Sequence, residues 1–300
     1  MPPAPADRYR RVALVGRYAS PGIAGPLSRI ASFVAGRGHS VVLDAETARS
    51  APLPGCPVAP PGALGDAADV VIVVGGDGTM LAAARELARF DVPLIGVNQG
   101  RLGFLTDIPL AKMEEMLGPI LAGQHVEERR TLLETTVHRA ADGPAETALA
   151  LNEVVVNRGT SGGMIDTAVE IDGRHVFAMR ADGVIIATPT GSTAYALSAQ
   201  GPIVDPQVPA LLLVPVAPHA LTNRPIAIGD TATIRVTLLR GFDAWAHCDG
   251  HAHFQLSEGD SVAIRRSAHA VRLLHPEGHD HFAMLREKLH WSETPESVRP

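Results

Sequence analysis

The sequence predicts an α/β N-terminal domain with a parallel sheet, followed by a predominantly β, sandwich-like C-terminal domain. Up to about residue 127, short apolar runs alternate with helical patterns, whereas from about residue 130 strand-like runs are separated by Gly, Asp or Pro turns. Helical spacing returns at 281–291, and we expect this C-terminal helix to pack back on the first domain. The predicted domains are residues 1–127 with 276–300, and residues 128–275.

The first domain shows strand–helix–strand repetition, which implies a parallel sheet with right-handed crossovers. The run DVVIVV (69–74) is apolar throughout, which is typical of a strand covered on both faces. The stretch 46–65 contains five prolines and is predicted to be a loop. In chain order, the predicted strands are 11–16, 39–44, 69–74 and 92–98, and the predicted helices are 26–38 and 78–90.

The second domain is expected to be mostly antiparallel, because its apolar runs are short and end at turn residues. A chain of 300 residues is long enough for two ordinary domains of this kind. The strand-like runs lie within 132–140, 148–159, 166–177, 182–190, 231–240 and 261–274.

The composition limits the class of partner. The formal net charge is -6 and there is no basic run, which argues against a nucleic-acid backbone or a membrane surface as the main partner. Cys56 and Cys248 are the only cysteines, so we expect no disulfide framework and a reducing compartment. The N-terminus does not resemble a signal peptide, and no apolar run is long enough to span a bilayer. We therefore expect a cytoplasmic protein.

The segment Gly75-Gly76-Asp77-Gly78-Thr79 lies where an apolar strand meets a helix. Glycines let the backbone approach a phosphate closely, and a helix N-terminus offers free N–H groups and a positive dipole end. Gly75, Gly76, Gly78 and Thr79 are therefore predicted to hold a phosphate. The pattern is neither GxGxxG nor GxxxxGK[ST], so this is not one of the two usual phosphate fingerprints.

Asp77 is the unusual residue of this turn, because a carboxylate would repel a bound phosphate. Its presence is explained if it removes a proton from an attacking hydroxyl group or holds Mg²⁺. The alternative is that Asp77 only caps the helix while the glycines form a tight turn. The turn alone leaves both interpretations open.

Three further segments carry polar residues at strand ends. Residues 98–107 follow the next strand and predict either a second wall of one cleft or an ordinary loop. Asn152 and Glu153 begin a β-branched run, where neighbouring side chains point to opposite faces. Residues 182–198 combine a Pro/Gly turn, small hydroxyl residues and one aromatic ring, which suits a nucleotide base and ribose, although a Ser/Thr-capped turn has the same composition.

The histidines allow a metalloenzyme hypothesis. Strand alternation would place four polar residues on one face, namely His247, Asp249, His251 and His253, next to Cys248. Asp249-Gly250, however, predicts a hairpin turn that breaks this face, so we do not expect zinc. The histidines near the end of the chain, at 275, 279, 281 and 290, are predicted to lie on the surface.

Together and in this order, these segments resemble the NAD kinase family. The block TPTGSTAY (188–195) in a β-rich half is its most specific part, whereas GGDG alone also occurs in lipid kinases and phosphofructokinases. The resemblance implies two domains, transfer of a phosphoryl group from ATP to the 2′-hydroxyl of the adenosine ribose of NAD, a divalent metal such as Mg²⁺, and dimers or tetramers. The matching segments are 75–79, 98–107, 151–156, 179–206, 214–225 and 248–250.

The resemblance also implies roles for single residues. Asp77 matches the general base, and Arg180 matches an arginine typical of members that use NAD and not NADH. His251 departs from the usual glutamine, and Gly163 stands where relatives often have histidine, so these two ligand contacts differ from the family pattern. No protein ligand to a metal is predicted. The implied NAD-binding residues are Asp77, Gly78, Asn152, Glu153, Arg180, Asp182, Thr193, Ala194, Tyr195, Ala196, Leu197, Ser198 and His251.

Two alternatives remain at this point. A lipid kinase of the diacylglycerol or sphingoid type would show an apolar or basic membrane-facing patch, and the sequence shows none. A non-catalytic NAD(H) sensor would bind the dinucleotide without turning over ATP. Asp77 disfavours a sensor, because a protein that only binds gains nothing from a carboxylate beside phosphates.

Overall fold

The computed structural model describes residues 8–17, 22–100, 102–141, 143–160, 162–220 and 222–289. The chain divides into two compact units. The first contains the residues up to Arg129 together with those from Val271 onward, and the second is Arg130–Ala270. Each unit has its own hydrophobic core.

The first part of the chain alternates short strands with helices, as predicted. The strands form the parallel order β2-β1-β3-β4, with β5 beside β4. The strands are β1 (Arg11–Gly16), β2 (Ser40–Leu43), β3 (Val70–Gly75), β4 (Leu94–Asn98) and β5 (Ile108–Pro109). The helices are α1 (Ala24–Gly36), α2 (Ala45–Ser50), α3 (Leu64–Ala67), α4 (Asp77–Leu87) and α5 (Met113–Leu121).

The core of the first unit explains these patterns. Every residue of β3 is buried, which confirms that this strand is covered on both faces. Helix α1 buries Leu27, Ile30 and Val34, whose spacing of three and four residues places them on one helix face. The apolar side of the helix and the central strands therefore pack into one cluster.

The prediction of one loop over 46–65 was wrong at both ends. Helix α2 begins after Asp44, whose carboxylate accepts a hydrogen bond of 2.8 Å from the Thr47 N–H group. Helix α3 begins at Leu64. The five prolines all lie between these two helices, so they exclude helix only from the intervening residues.

The second part of the chain is almost entirely β, as predicted. Its strands are β6 (Val126–His138), β7 (Glu146–Ala150), β8 (Glu153–Arg158), β9 (Ile165–Ile171), β10 (Arg174–Ala181), β11 (Gly183–Ala187), β12 (Ala210–Val216), β13 (Ile226–Gly229), β14 (Ile234–Arg240), β15 (Ala244–Cys248), β16 (Ala252–Leu256) and β17 (Ser261–His275). Two α-helices follow in this part of the chain, α6 (Tyr195–Ser198) and the C-terminal α7 (His281–Leu289).

Two antiparallel sheets form the second unit. One has the order β13-β12-β11-β8-β15-β16, and the other contains β10-β9-β14-β17. Val154 and Ile186 of the first sheet share a core cluster with Val169 and Val236 of the second. This contact confirms the predicted sandwich-like packing.

The other face of the six-stranded sheet is also covered. Val155, Ile185 and Val214 are buried there against Ala196, with Val204 packed beside them. The segment after β11 therefore lies on the sheet and is fixed in position by apolar contacts.

The described C-terminal residues, 271–289, belong to the first unit, and the predicted C-terminal helix is present. Leu273, near the end of β17, pairs in parallel with Leu94 of β4. Met284 and Leu285 of α7 are buried. Within the described part of the chain, none of the helices combines the length and the apolar character that crossing a membrane requires.

Candidate functional site

The glycine-rich turn joins β3 to α4 in the first unit. Gly75 ends the strand, Gly76 is the N-cap residue and Asp77 begins the helix. A Cβ atom on Gly75 would overlap the Thr79 side chain, so this position requires glycine. A Cβ atom on Gly76 or Gly78 would meet nothing within 4 Å. The helix N-terminus therefore faces open space that a phosphate group can enter.

The Asp77 carboxylate is held by the loop that follows β4. Its Oδ2 atom accepts the Phe104 N–H at 2.8 Å, and its Oδ1 atom accepts the Leu105 N–H at 3.0 Å and the Thr106 hydroxyl at 3.2 Å. The residue therefore orients its carboxylate toward this loop and does not cap α4, whose N-cap is Gly76. Only one of the three bonds falls on Oδ2, so this oxygen keeps an acceptor position for another proton donor.

Residues 98–107 form a compact partner to the glycine-rich turn within the first unit. The Asn98 Nδ2 group donates to the Thr106 hydroxyl oxygen at 2.9 Å, and the Gly100 N–H donates to Asn98 Oδ1 at 2.6 Å. A Cβ atom on Gly103 would overlap the Asp77 carboxylate, so the close approach of the loop depends on glycine. The predicted second wall therefore contacts Asp77 directly. Arg101, which belongs to this segment, lies outside the described residues.

Asn152 and Glu153 lie at the start of β8 in the second unit, where one carboxylate fixes the backbone. Asp249 accepts the N–H groups of Leu151, Asn152 and Glu153 at 2.8, 2.8 and 3.2 Å. Because three backbone N–H groups donate to one carboxylate, the backbone at the start of β8 is held rigidly. The Asp249 side chain thus has a structural task.

The turn after β11 packs on residues 151–153 at the start of β8. The Thr188 N–H donates to the Asn152 carbonyl at 2.9 Å, and the Thr188 hydroxyl donates to the Leu151 carbonyl at 2.6 Å. A Cβ atom on Gly191 would overlap the Asn152 backbone. The structure therefore brings together the two segments that the sequence treated as separate motifs.

Glu153 is a buried carboxyl group with an unusual environment. Burial, together with the nearby Asp249 charge, raises its pKa from 4.5 to about 7, although a hydrogen bond from the Tyr195 backbone N–H lowers it. Its Oε2 atom is buried without a hydrogen-bond partner. A carboxyl group in this state exchanges a proton near neutral pH.

A cavity of about 670 Å³ lies in the second unit. Two of the predicted residues line it, Asp182 and Tyr195. Arg158 Nε donates to Asp182 Oδ1 at 2.7 Å, which fixes the Asp182 carboxylate beside the cavity. Its size and its mixture of aromatic and polar groups suit part of a dinucleotide. The other lining residues are Asn157, Arg158, Gly159, Thr160, Val216, Asp243, Trp245, His247 and His253.

The β15–β16 hairpin brings two histidines to this cavity. The turn predicted at Asp249-Gly250 is confirmed, with φ of 49° and 62° at these residues. The turn breaks the single strand face over 247–253, as expected, but it also pairs His247 directly with His253 across the hairpin, with their Nδ1 atoms 2.6 Å apart. Burial and the neighbouring His253 lower the pKa of His247.

The remaining predicted NAD-binding residues are distributed over the second unit. Among the described residues, Arg180 and His251 do not line the cavity. Arg180 is exposed on β10, and its Nε atom lies 3.7 Å from Asp166 Oδ1. It does not reach the cavity because β10 belongs to the other sheet. His251 is exposed in the hairpin turn. The segment from Thr193 to Ser198 follows the 188–192 turn and places Tyr195 40% exposed at the cavity.

The prediction that the C-terminal histidines lie on the surface was wrong for His275 and His279, whose side chains are 1% and 10% exposed. His275 Nδ1 and His279 Nδ1 lie 2.8 and 2.9 Å from Asp107 Oδ2. Burial alone would raise the pKa of Asp107, but hydrogen bonds and charges from the two histidines lower it to about 2. His275 is the last residue of β17 and directly follows the buried Leu273 and Leu274, so its side chain lies in the core. His290 lies outside the described residues.

Reasoning from the sequence named His247 and His253 only as candidate metal ligands and did not name Arg158 or Trp245, although all four line the cavity. His247 and His253 stand symmetrically about the Asp249-Gly250 turn, which was a usable signal for cross-strand pairing. Arg158 and Trp245 carried no such signal, because only the pairing of β15 with β8 brings these strands together.

Comparison with known proteins places this chain among nucleotide-binding kinases. Residues 62–125 match the ATP-NAD kinase N-terminal domain, and residues 151–276 match the ATP-NAD kinase C-terminal domain. The NAD kinase of Burkholderia pseudomallei (strain K96243) is 49% identical over 97% of this chain and 96% of the relative. The NAD kinase of Aromatoleum aromaticum (strain DSM 19018 / LMG 30748 / EbN1) is 50% identical over 98% of each.

Two solved structures have the same fold. A yeast NADH kinase complexed with NADH matches with a TM-score of 0.86 at 23% identity, over 97% of this chain and 90% of that one. An NAD kinase from Archaeoglobus fulgidus in complex with ATP matches with a TM-score of 0.73 at 29% identity, over 93% and 98%. An α/β unit with a glycine-rich turn and a β-sandwich unit with a cavity lined by aromatic and polar groups define a two-unit nucleotide-binding protein. The chain belongs to the NAD kinase family.

Proposed function

We propose that this protein transfers the γ-phosphoryl group of ATP to the 2′-hydroxyl of the adenosine ribose of NAD, giving ADP and NADP. The bond from the 2′-oxygen to the γ-phosphorus forms, the bond from that phosphorus to the β–γ bridging oxygen breaks, and the hydroxyl proton passes to Asp77. Family membership and the Asp77 carboxylate together support this reaction.

The observation that carries the proposal is the geometry of Asp77. Phe104, Leu105 and Thr106 fix the orientation of the carboxylate, yet Oδ2 retains one acceptor position. A ribose hydroxyl that donates to Oδ2 would have its proton removed as the bond to phosphorus forms. A fixed base reduces the entropy lost on reaching the transition state.

Phosphate binding is assigned to the glycine-rich turn. The open space at Gly76 and Gly78 and the N–H groups at the start of α4 suit the oxygens of a polyphosphate. Mg²⁺ bound to the triphosphate would neutralise charge that develops on the transferred group. We assign no protein ligand to this metal.

The second unit is assigned to dinucleotide recognition. Asn152, Glu153, Asp182 and Tyr195 are the residues that we expect to contact NAD, because they lie at the β8 entry and at the cavity. We also propose that NAD is preferred over NADH, that Arg180 contributes to this preference, and that the protein works in the cytoplasm as a dimer or tetramer. Size-exclusion chromatography with light scattering tests the last point.

The first experiment is an assay of purified protein with Mg-ATP and either NAD or NADH, in which a coupled dehydrogenase detects NADP or NADPH. We expect NADP formation from NAD, and a smaller rate with NADH that rises in Arg180→Gly. Dinucleotide binding without ADP release would indicate a sensor and would refute the proposed reaction.

The decisive variant is Asp77→Asn, which we expect to keep its fold and to lose about two or more orders of magnitude in kcat, as is usual for loss of a general base. Thr106→Val is the matched control, because it removes one hydrogen bond to Asp77 without removing the carboxylate. We expect a much smaller loss in the control. A near-native kcat in Asp77→Asn, or an equal loss in both variants, would remove Asp77 from the role of base.

A further inference from the structure

A cluster of side chains that can bind a metal ion lies in the first unit, apart from the glycine-rich turn. His275 Nδ1 and His279 Nδ1 both face Asp107 Oδ2, at 2.8 and 2.9 Å. Their rings are stacked with centroids 3.9 Å apart. One ligand atom from each of the three residues lies within 4.8 Å of the others. We refer to Asp107, His275 and His279 as the Asp-His-His cluster.

The cluster is buried, and its internal hydrogen bonds do not satisfy it. The side chains of Asp107, His275 and His279 are 7%, 1% and 10% exposed. Asp107 Oδ1 and His279 Nε2 are buried without a hydrogen-bond partner. A buried polar atom without a partner costs about 1–3 kcal/mol, so a bound cation that takes up a free lone pair would remove part of this cost.

A fourth residue fixes the orientation of His275. Glu128 Oε2 lies 3.2 Å from His275 Nε2, on the side of the ring opposite Asp107. When Nε2–H donates to this carboxylate, the Nδ1 lone pair of a neutral His275 faces the Asp107 oxygen. Two lone pairs at 2.8 Å repel each other, and either a proton on Nδ1 or a metal ion beside the pair removes this repulsion, so a proton and a metal ion compete for this position. A histidine held by an outer carboxylate is the arrangement found at many metal centres.

From this geometry we propose that the Asp-His-His cluster binds one divalent transition-metal ion of the Zn²⁺ class. Two imidazole nitrogens and one carboxylate oxygen are ligands that Zn²⁺, Co²⁺ and Ni²⁺ accept, whereas Mg²⁺ prefers oxygen ligands alone. The site is therefore distinct from the Mg²⁺ of the phosphoryl transfer.

The surroundings provide a route for the ion. A cavity of about 210 Å³ adjoins Asp107 and His279. Three acidic residues, Glu277, Asp280 and Glu287, also line this cavity and favour the approach of a cation. A water molecule in the cavity would complete four-coordination.

The bound ion would also affect the loop that orients the base. Asp107 follows Thr106, which donates a hydrogen bond to Asp77. The ion would connect this end of the 98–107 loop to His275 and His279, which come from the C-terminal part of the chain. We therefore expect metal binding to stabilise the first unit.

The test uses full-length protein stripped of metal with a chelator and titrated with ZnCl₂ or CoCl₂. We expect one ion per chain, a rise in Tm with Zn²⁺, visible d–d absorption with Co²⁺, and no competition by Mg²⁺. His279→Gln should weaken Zn²⁺ binding by more than about tenfold, and Glu128→Gln by about 10- to 100-fold, as loss of an outer carboxylate does.

The control is the double variant His247→Gln/His253→Gln, because these paired histidines of the other unit are the strongest competing ligands. We expect its Zn²⁺ stoichiometry and affinity to equal those of the wild type. Absence of stoichiometric binding in the wild type would overturn the proposal. Loss of binding in the His247/His253 double variant, with full binding in His279→Gln, would overturn it equally.

Discussion

At the scale of single residues, Glu153 shows how burial changes the chemistry of a carboxyl group. Burial and the Asp249 charge raise its pKa to about 7, whereas an exposed glutamate has a value of 4.5. Between these two pH values the folded chain holds a proton that the unfolded chain releases. The contribution of Glu153 to the free energy of unfolding therefore decreases as pH rises from about 4.5 to 7, and it is constant above.

Glu153→Gln removes this titration and keeps an acceptor for the Tyr195 N–H group. We expect the variant to match the wild type near pH 4.5 and to be more stable at pH 8, by up to about 3 kcal/mol. Urea unfolding at several pH values measures the difference. A constant difference across this range would show that Glu153 ionises normally in the folded protein.

At the scale of elements, the β15–β16 hairpin fixes a neighbouring strand entry. Its turn residue Asp249 accepts three backbone N–H groups at the start of β8. Both Asp249 and Gly250 have positive φ, which Asp and Gly tolerate better than most residues. One turn therefore determines the path of residues 151–153, and so the placement of Asn152 and Glu153.

Asp249→Ala is expected to lower the free energy of unfolding by about 2–4 kcal/mol, because it leaves backbone donors without their acceptor and places alanine at positive φ. Asp249→Asn keeps one acceptor oxygen and tolerates the backbone conformation, so we expect roughly half that loss. Chemical denaturation of both variants gives the values. Equal stability of the two would mean that the bonds to residues 151–153 contribute little.

At the scale of the whole molecule, the first unit is discontinuous in the chain. Its core includes Leu274, and its sheet pairs Leu273 with Leu94, although these residues are separated by the whole second unit. The buried His275 adds a hydrogen bond to Asp107. The first unit therefore depends on residues at both ends of the chain.

We expect the fragment 1–129 to lack a cooperative thermal transition, because it misses this part of its core. Co-expression with the fragment 271–300 should restore a cooperative transition or at least solubility. The same fragment with Leu273→Asp and Leu274→Asp is the control and should restore neither. Circular dichroism on heating measures this. Cooperative unfolding of 1–129 alone would show that the C-terminal residues are dispensable for the first unit.

The sequence by itself determined the alternating α/β part, the β-rich part and the glycine-rich turn, because these depend on local periodicity and on backbone requirements of glycine. The apolar run of β3 and the Asp249-Gly250 turn appeared as predicted, and the helix predicted over 26–38 is present at Ala24–Gly36. The loop predicted from the prolines of 46–65 was too long, because a proline excludes helix only at its own position and its immediate neighbours.

Only the tertiary structure decided which distant groups meet. The bonds from 104–106 to Asp77, the pairing of His247 with His253 and the burial of His275 beside Asp107 join residues far apart in the chain or across a turn. Strand order and register create these contacts, and neither is encoded in local periodicity. Whether a polar side chain is solvated or buried depends on the tertiary packing around it.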